Sequence, residues 1–289
     1  MPASRRSDRR ERDVVLLAAD GTRVSARHDP AHTRGGPADG VPRDVCFVLA
    51  HGFTGSWRRA DMLRIGAALR EHGGVVSFDF RGHGRSTGTS TVGDREVLDL
   101  EAAVAWARLL GYRRVVPVGW SMGAGVALRH AAGAGPAGPS SGPSSGAAFT
   151  PVDAVVAVSG PSRWQYRGTG PMRLLHLAVE TLPGRRVLAL LYGTRLATGR
   201  WDLPPEPPDA VIGRIAPVPV LLVHGDADRY FPLEHARWLH RAGRPPVELW
   251  VEPGFGHAET AATPELVHRI AAWALRAAAR PVPSARMPR

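Results

Sequence analysis

Six short runs of the chain carry apolar residues without the alternating polar ones of a half-exposed strand: 45–50, 75–80, 115–118, 154–158, 218–223 and 247–251. Strands read this way when both faces are covered, as in parallel sheets layered between helices. The gaps between the runs supply those helices. Apolar positions recur near helical spacing over 60–71, 96–110 and 264–279. Val97, Leu100, Val104 and Leu109 mark the second of these, and Gly111 ends it. Ahead of the first buried run, residues 14–26 predict a β-hairpin turning at Asp20-Gly21. The expected fold class is α/β, a mostly parallel central sheet flanked by helices.

Two segments interrupt this rhythm. Residues 133–148 form a Gly/Pro/Ser/Ala stretch too poor in apolar side chains to order itself, which predicts a flexible loop. Residues 160–215, between the fourth and fifth runs, hold two apolar helical stretches, 172–182 and 186–197, and a stiff Pro204-Pro205-Glu206-Pro207-Pro208 connector. By position this insertion is a helical cap, expected either simply to cover the sheet or to form a lid over a pocket. Leu175, Val179, Leu188 and Leu191 are candidate residues for lining a pocket beneath it. At 289 residues the chain fits one large domain with an insertion.

The formal charge of +11 invites a nucleic-acid reading, but the details weaken it. The chain has no lysine, so all 37 basic residues are arginine, and alanine, glycine and proline are abundant. That is the pattern of GC-rich coding rather than of a binding surface. Part of the excess lies in Arg5, Arg6, Arg9, Arg10 and Arg12, which makes residues 1–12 a basic, disordered arm with no specific nucleic-acid partner. Cys46 is the single cysteine and sits in an apolar run, which excludes an internal disulfide. No run approaches the ~20 apolar residues of a membrane span. The apolar run after the paired arginines is too short for an export signal, so the expected location is cytoplasmic.

The sharpest chemical signal is Gly119-Trp120-Ser121-Met122-Gly123, set between the run 115–118 and the alanine-rich 124–132. A strand that ends in G-x-S-x-G and turns at once into a helix is a nucleophile elbow. It exposes its serine on a strained turn at the tip of the sheet, with the helix's positive end toward the reacting atoms. The two glycines are needed where a Cβ would strike the neighbouring strand or helix. A serine hydroxyl is a poor nucleophile without a base and an acid to orient that base. The fifth run opens into His224-Gly225-Asp226-Ala227-Asp228, which offers two carboxylates. The sixth leads to a glycine-rich loop, Pro253-Gly254-Phe255-Gly256-His257, where His257 can reach back over the sheet edge. His51, His83 and His224 lie beside glycines at strand ends and turns, and their rings are expected to bond loop backbone. Glu259 and Asp79 are expected to tie loops together. Neither a ligand-spaced Cys/His/Asp/Glu cluster nor a G-x-G-x-x-G after the first strand occurs, so no metal or organic cofactor is called for.

Two further segments complete a pattern: Phe47-Val48-Leu49-Ala50-His51-Gly52-Phe53-Thr54-Gly55-Ser56 and Ser77-Phe78-Asp79-Phe80-Arg81-Gly82-His83-Gly84-Arg85-Ser86. With the elbow and the chain order serine, aspartate, histidine, they resemble the α/β-hydrolase superfamily, among its compact bacterial serine esterases and lysophospholipase-like hydrolases. The resemblance covers about 45–279 and implies an α/β-hydrolase domain over 13–289 with the cap at about 160–215. The family pattern puts the acid three residues after Gly225, which favours Asp228 over Asp226. It implies catalytic Ser121, Asp228 and His257, with the backbone N–H groups of Phe53 and Met122 as an oxyanion hole. The implied reaction is hydrolysis of carboxylic esters through an acyl-enzyme, with a small-molecule ester or thioester as the expected binding partner. A thioesterase, acyltransferase or perhydrolase would share the apparatus, and a catalytically silent ligand-binding member of the fold is the alternative of another class.

Overall fold

The computed structural model describes residues 13–32, 44–137, 149–198, 201 and 203–279. The basic arm 1–12 and most of the 133–148 stretch lie outside them. The strands are β1 (Asp13–Leu17), β2 (Arg23–Asp29), β3 (Val45–Ala50), β4 (Gly74–Phe78), β5 (Arg114–Trp120), β6 (Val155–Val158), β7 (Val220–Gly225) and β8 (Val247–Glu252). The helices are α1 (Ala60–Leu69), α2 (Glu96–Leu109), α3 (Met122–Ala131), α4 (Gly170–Glu180), α5 (Leu182–Tyr192), α6 (Pro208–Val211), α7 (Glu234–Ala242), α8 (Ala258–Ala261) and α9 (Pro264–Ala278).

All eight strands join one sheet in the order β1-β2-β4-β3-β5-β6-β7-β8. From β4 to β8 every pairing is parallel. The hairpin β1-β2 extends one edge and pairs antiparallel with β4. Alternate residues of β3 show why these runs lack polar positions. Val45, Phe47 and Leu49 pack with Met62, Ile65 and Leu69 of α1 and Ile270 of α9 on one face. Cys46, Val48 and Ala50 pack with Val97 and Leu100 of α2 and Val126 of α3 on the other. A strand covered twice has no face left for water. Strand β8, at the open edge, is only partly covered along its length.

Several boundaries differ from the sequence reading, among them the first cap helix, which is Gly170–Glu180 rather than 172–182, and three differences have a local reason. Strand β4 ends at Phe78 because Asp79 turns away to accept Ser56 Oγ, the Trp57 N–H, an Arg58 N–H and the Arg85 N–H. In the cap, the second helix begins at Leu182 and ends at Tyr192, not at 186 and 197. Thr181 ends α4 and also caps α5, its Oγ1 accepting the Gly184 N–H, and Pro183 is tolerated in the first turn. Gly193, at φ 65°, stops the helix in the left-handed region. Finally, Pro208 of the expected connector opens the short helix α6.

The chain leaves β3 toward β4 and returns across the sheet to β5, so the strand order reverses between β3 and β5. Ligands in open α/β sheets bind outside the carboxyl ends of the strands at such a point. The loops that follow β3, β5, β7 and β8 meet there.

Candidate active site

Ser121 follows β5 directly and holds φ 51° and ψ −115°, a conformation that side-chain-bearing residues rarely adopt. Close packing imposes it. A Cβ on Gly119 would stand 2.3 Å from the Gly123 oxygen, and one on Gly123 would stand 2.3 Å from the Ala50 oxygen. The Ser121 N–H donates to the Val158 oxygen at 2.9 Å, which anchors the turn to β6.

His257 arrives from the loop after β8. Its Nε2 lies 2.9 Å from Ser121 Oγ, and its Nδ1 lies 2.8 Å from Asp228 Oδ2. Asp228 in turn accepts the N–H groups of Tyr230 and Phe231 on Oδ1 at 2.8 and 3.1 Å. Its side chain is fully buried. Burial works to raise the Asp228 carboxyl, but the hydrogen bond and charge of His257 and the Phe231 amide outweigh it and hold the group below the usual carboxylate range. Asp226, the other carboxylate of the loop, is exposed and accepts the Gly254 N–H at 2.7 Å. The structure therefore brings Ser121, His257 and Asp228 into one hydrogen-bonded chain and leaves Asp226 out of it.

The amides of the β3 loop are nearly all used. Gly52 N–H donates to Glu259 Oε1, Thr54 N–H to His83 Nε2, and Gly55 N–H to the Gly52 oxygen. Among the described residues, the Phe53 N–H donates to no protein acceptor, and neither does that of Met122 at the first turn of α3. These are the two amides singled out by the sequence. His51 and His83 each donate Nδ1–H to a loop carbonyl and accept a backbone N–H on Nε2. His224 donates to the Phe231 oxygen. All three bond loop backbone, as expected. Burial pushes both His51 and His83 down to about 4, so these rings are neutral near pH 7.

Sequence reasoning missed several neighbours. The Tyr230 ring stands 4.5 Å from that of His257. Buried Ser159, at φ 50° after β6, accepts the Ala258 N–H on Oγ at 3.0 Å and so fixes the turn next to His257. The Ser159-Gly160 step after an apolar run was the only sign of it. Helix α7 was also unread, although its residues 234–242 carry a clean amphipathic pattern.

A cavity of about 450 Å³ lies under α4, beside the 90–92 loop and Leu196, Ala197, Trp201 and Pro204. Leu175, Val179, Trp164, Leu196 and Trp201 line it, and His176 and Glu180 add polar groups. Trp164 also packs on the elbow helix, where a Cβ on Gly125 would stand 2.6 Å from its ring. Of the other cap candidates, Leu188 is buried and Leu191 is 73% exposed. Among the described residues no cluster of His, Cys, Asp and Glu has the arrangement of a metal site, and no helix is long and apolar enough to cross a membrane.

The sequence model of the alpha/beta hydrolase family matches residues 47–270. No curated protein matches the chain. Among solved structures, an esterase of Pyrococcus furiosus is similar at 24% identity and a TM-score of 0.65, over 92% of this chain and 90% of that one. The esterase domain of a Rhodothermus marinus protein shares 22% identity over 92% and 98%, with a TM-score of 0.59. A Xanthomonas campestris serine hydrolase described as having no lid shares 19% over 94% and 95%, with a TM-score of 0.57. At these identities the structures speak for the fold, while the family match spans most of the chain: this protein belongs to the alpha/beta hydrolase family.

Proposed function

We propose that the protein is a serine hydrolase that cleaves carboxylic esters through an acyl-enzyme. The observation that carries this reading is the unbroken chain from Ser121 Oγ through the His257 ring to Asp228, on an elbow whose serine is held at φ 51°. His257 Nε2 takes the Ser121 proton as Oγ attacks the carbonyl carbon. The Phe53 and Met122 N–H groups receive the oxyanion, each contributing roughly 3–4 kcal/mol in comparable hydrolases. Asp228 fixes the proton-bearing Nδ1 of His257 and balances its positive form. The alcohol leaves with the proton from Nε2, and water repeats the sequence on the acyl-enzyme. The esterases among the structural relatives support the same class.

The 160–215 segment acts in this reading as a cap. The cavity under α4 is lined by Trp164, which packs on the elbow helix, but not by Ser121, His257, Phe53 or Met122, and it is assigned the far end of the acyl part of the substrate. Its volume suits a small or medium acyl group, and two tryptophans with Leu175 and Val179 give it an apolar wall. The same residues would serve a thioester or an acyl acceptor other than water. Rapid mixing with a p-nitrophenyl ester tests the central step. The expected result is a burst of p-nitrophenol close to one equivalent per protein, absent in Ser121→Ala. A burst that survives in Ser121→Ala would place the nucleophile elsewhere.

A further inference from the structure

Glu259 takes no part in the chemistry above, yet it is buried two residues after His257 and lies against Gly52, which adjoins the nucleophile. Among the described residues it forms no ion pair, and burial pushes its carboxyl above the usual glutamate range. A carboxylate buried without a cation is costly, so its contacts must matter to something. Its Oε1 accepts the Gly52 N–H at 3.1 Å. A Cβ on Gly52 would stand 2.9 Å from that same oxygen and 3.2 Å from Ser121 Cβ. Carboxylate, loop and nucleophile therefore meet at one point, where a side chain on residue 52 would have to push the Glu259 carboxylate aside.

The next peptide group explains what the contact achieves. The Gly52 oxygen accepts both His51 Nδ1–H at 2.7 Å and the Gly55 N–H at 3.0 Å. Because a peptide is planar and trans, pinning that carbonyl directs the Phe53 N–H the opposite way. Those two bonds hold the loop to itself. The Glu259 bond instead joins the loop to the turn that carries His257. That turn is tightly specified: Ala258 sits at φ 51°, and its N–H is fixed by Ser159 Oγ.

We propose that Glu259 is a positioning residue that registers the Phe53 oxyanion donor against the base His257 by clamping the Gly52 amide to the His257 turn. The inference rests on the reading of Phe53 as an oxyanion donor, and it assigns Glu259 a part in the rate rather than in folding alone.

Two variants separate the possibilities. Glu259→Gln keeps a carbonyl oxygen for the Gly52 N–H and removes only the charge, whereas Glu259→Ala removes the acceptor. In Glu259→Ala, kcat per competent site should fall by roughly 10–100-fold, a part of the loss seen when an oxyanion donor is removed. KM should stay within about threefold. Competent sites are counted by end-point fluorophosphonate labelling, so loss of folded protein is not mistaken for loss of rate. Glu259→Gln should recover kcat to within about fivefold of the wild type. Amide hydrogen exchange at Gly52 and Phe53 gives a readout that needs no turnover. It should quicken in Glu259→Ala and stay slow in Glu259→Gln. Unchanged kcat per site and unchanged exchange in Glu259→Ala would overturn the proposal, as would a Glu259→Gln protein as slow as Glu259→Ala. A wild type that labels but not at Ser121 would instead refute the serine mechanism, and the exchange data would still judge the clamp.

Discussion

Ser121 keeps a backbone conformation of the kind that costs about 1–3 kcal/mol and persists only where the surroundings over-determine it. Here Gly119, Gly123 and the bond to Val158 do so. The strain suggests an unusual stability order. Ser121→Gly should melt at or above Ser121→Ala, reversing the ordinary penalty for glycine, because glycine alone adopts this φ freely. Both should lack ester turnover. A Ser121→Ala protein that melts clearly above Ser121→Gly would mean that the elbow is not strained. The two aspartates of the β7 loop make a second pair. Asp228→Asn should cost on the order of 10⁴-fold in kcat, since the amide no longer selects the productive tautomer of His257. Asp226→Asn keeps a carbonyl oxygen for the Gly254 amide, lies outside the Ser121-His257 chain on the exposed side of the loop, and should cost far less. The reverse ranking in steady-state rates would transfer the role to Asp226. Ser121 was legible from the elbow motif, His257 from its place on the loop after the last strand, and Asp228 over Asp226 only through the family pattern. Glu259 was legible only as a loop tie. Its reach into Gly52 depends on the left-handed turn at Ala258, which an alanine does not announce.

At the scale of elements, the inner core strands were readable because burial on both faces removes nearly every polar position, while the edge strand β8 keeps Glu248. The cap was less so. Its helices lie elsewhere than expected, because capping by Thr181 makes Pro183-Gly184 part of the first turn of α5. Sequence also could not divide the four cap residues by direction, since helix phase depends on where each helix begins. With that phase known, their behaviour separates. Leu175→Ala and Val179→Ala, on the cavity wall, should shift kcat/KM between short and long acyl esters by roughly 1–3 kcal/mol. Leu188→Ala should leave chain-length preference alone and lower stability by perhaps 2–5 kcal/mol, read from chemical denaturation. Leu191→Ala should change neither by more than ~0.5 kcal/mol. If the cavity-wall variants leave the chain-length profile untouched, the acyl pocket is built from other residues.

For the whole molecule, buried histidines set the response to acid. Burial lowers His51, His83 and His235 to about 4, and also lowers His72 and His224. Unfolded imidazoles titrate near 6.5. Between those values the unfolded chain binds more protons, so stability is complete above that range and is lost as pH falls through it. Three carboxyls act in the other direction: Asp99, pushed up to about 6 by burial, and Asp94 and Glu259, also raised. The histidines respond first on acidification and are more numerous. The melting temperature should therefore decline steadily from about pH 7.5 to 5.5. A flat profile over that range would mean these rings are solvated rather than buried.

The central claim, that Ser121 is a nucleophile activated by His257, is tested most directly by fluorophosphonate labelling followed by peptide mass spectrometry. The wild type should form a single adduct rapidly, on Ser121, and that adduct should be lost or greatly slowed in His257→Ala. An adduct on another residue, or a Ser121→Ala protein that hydrolyses p-nitrophenyl esters near the wild-type rate, would contradict the claim.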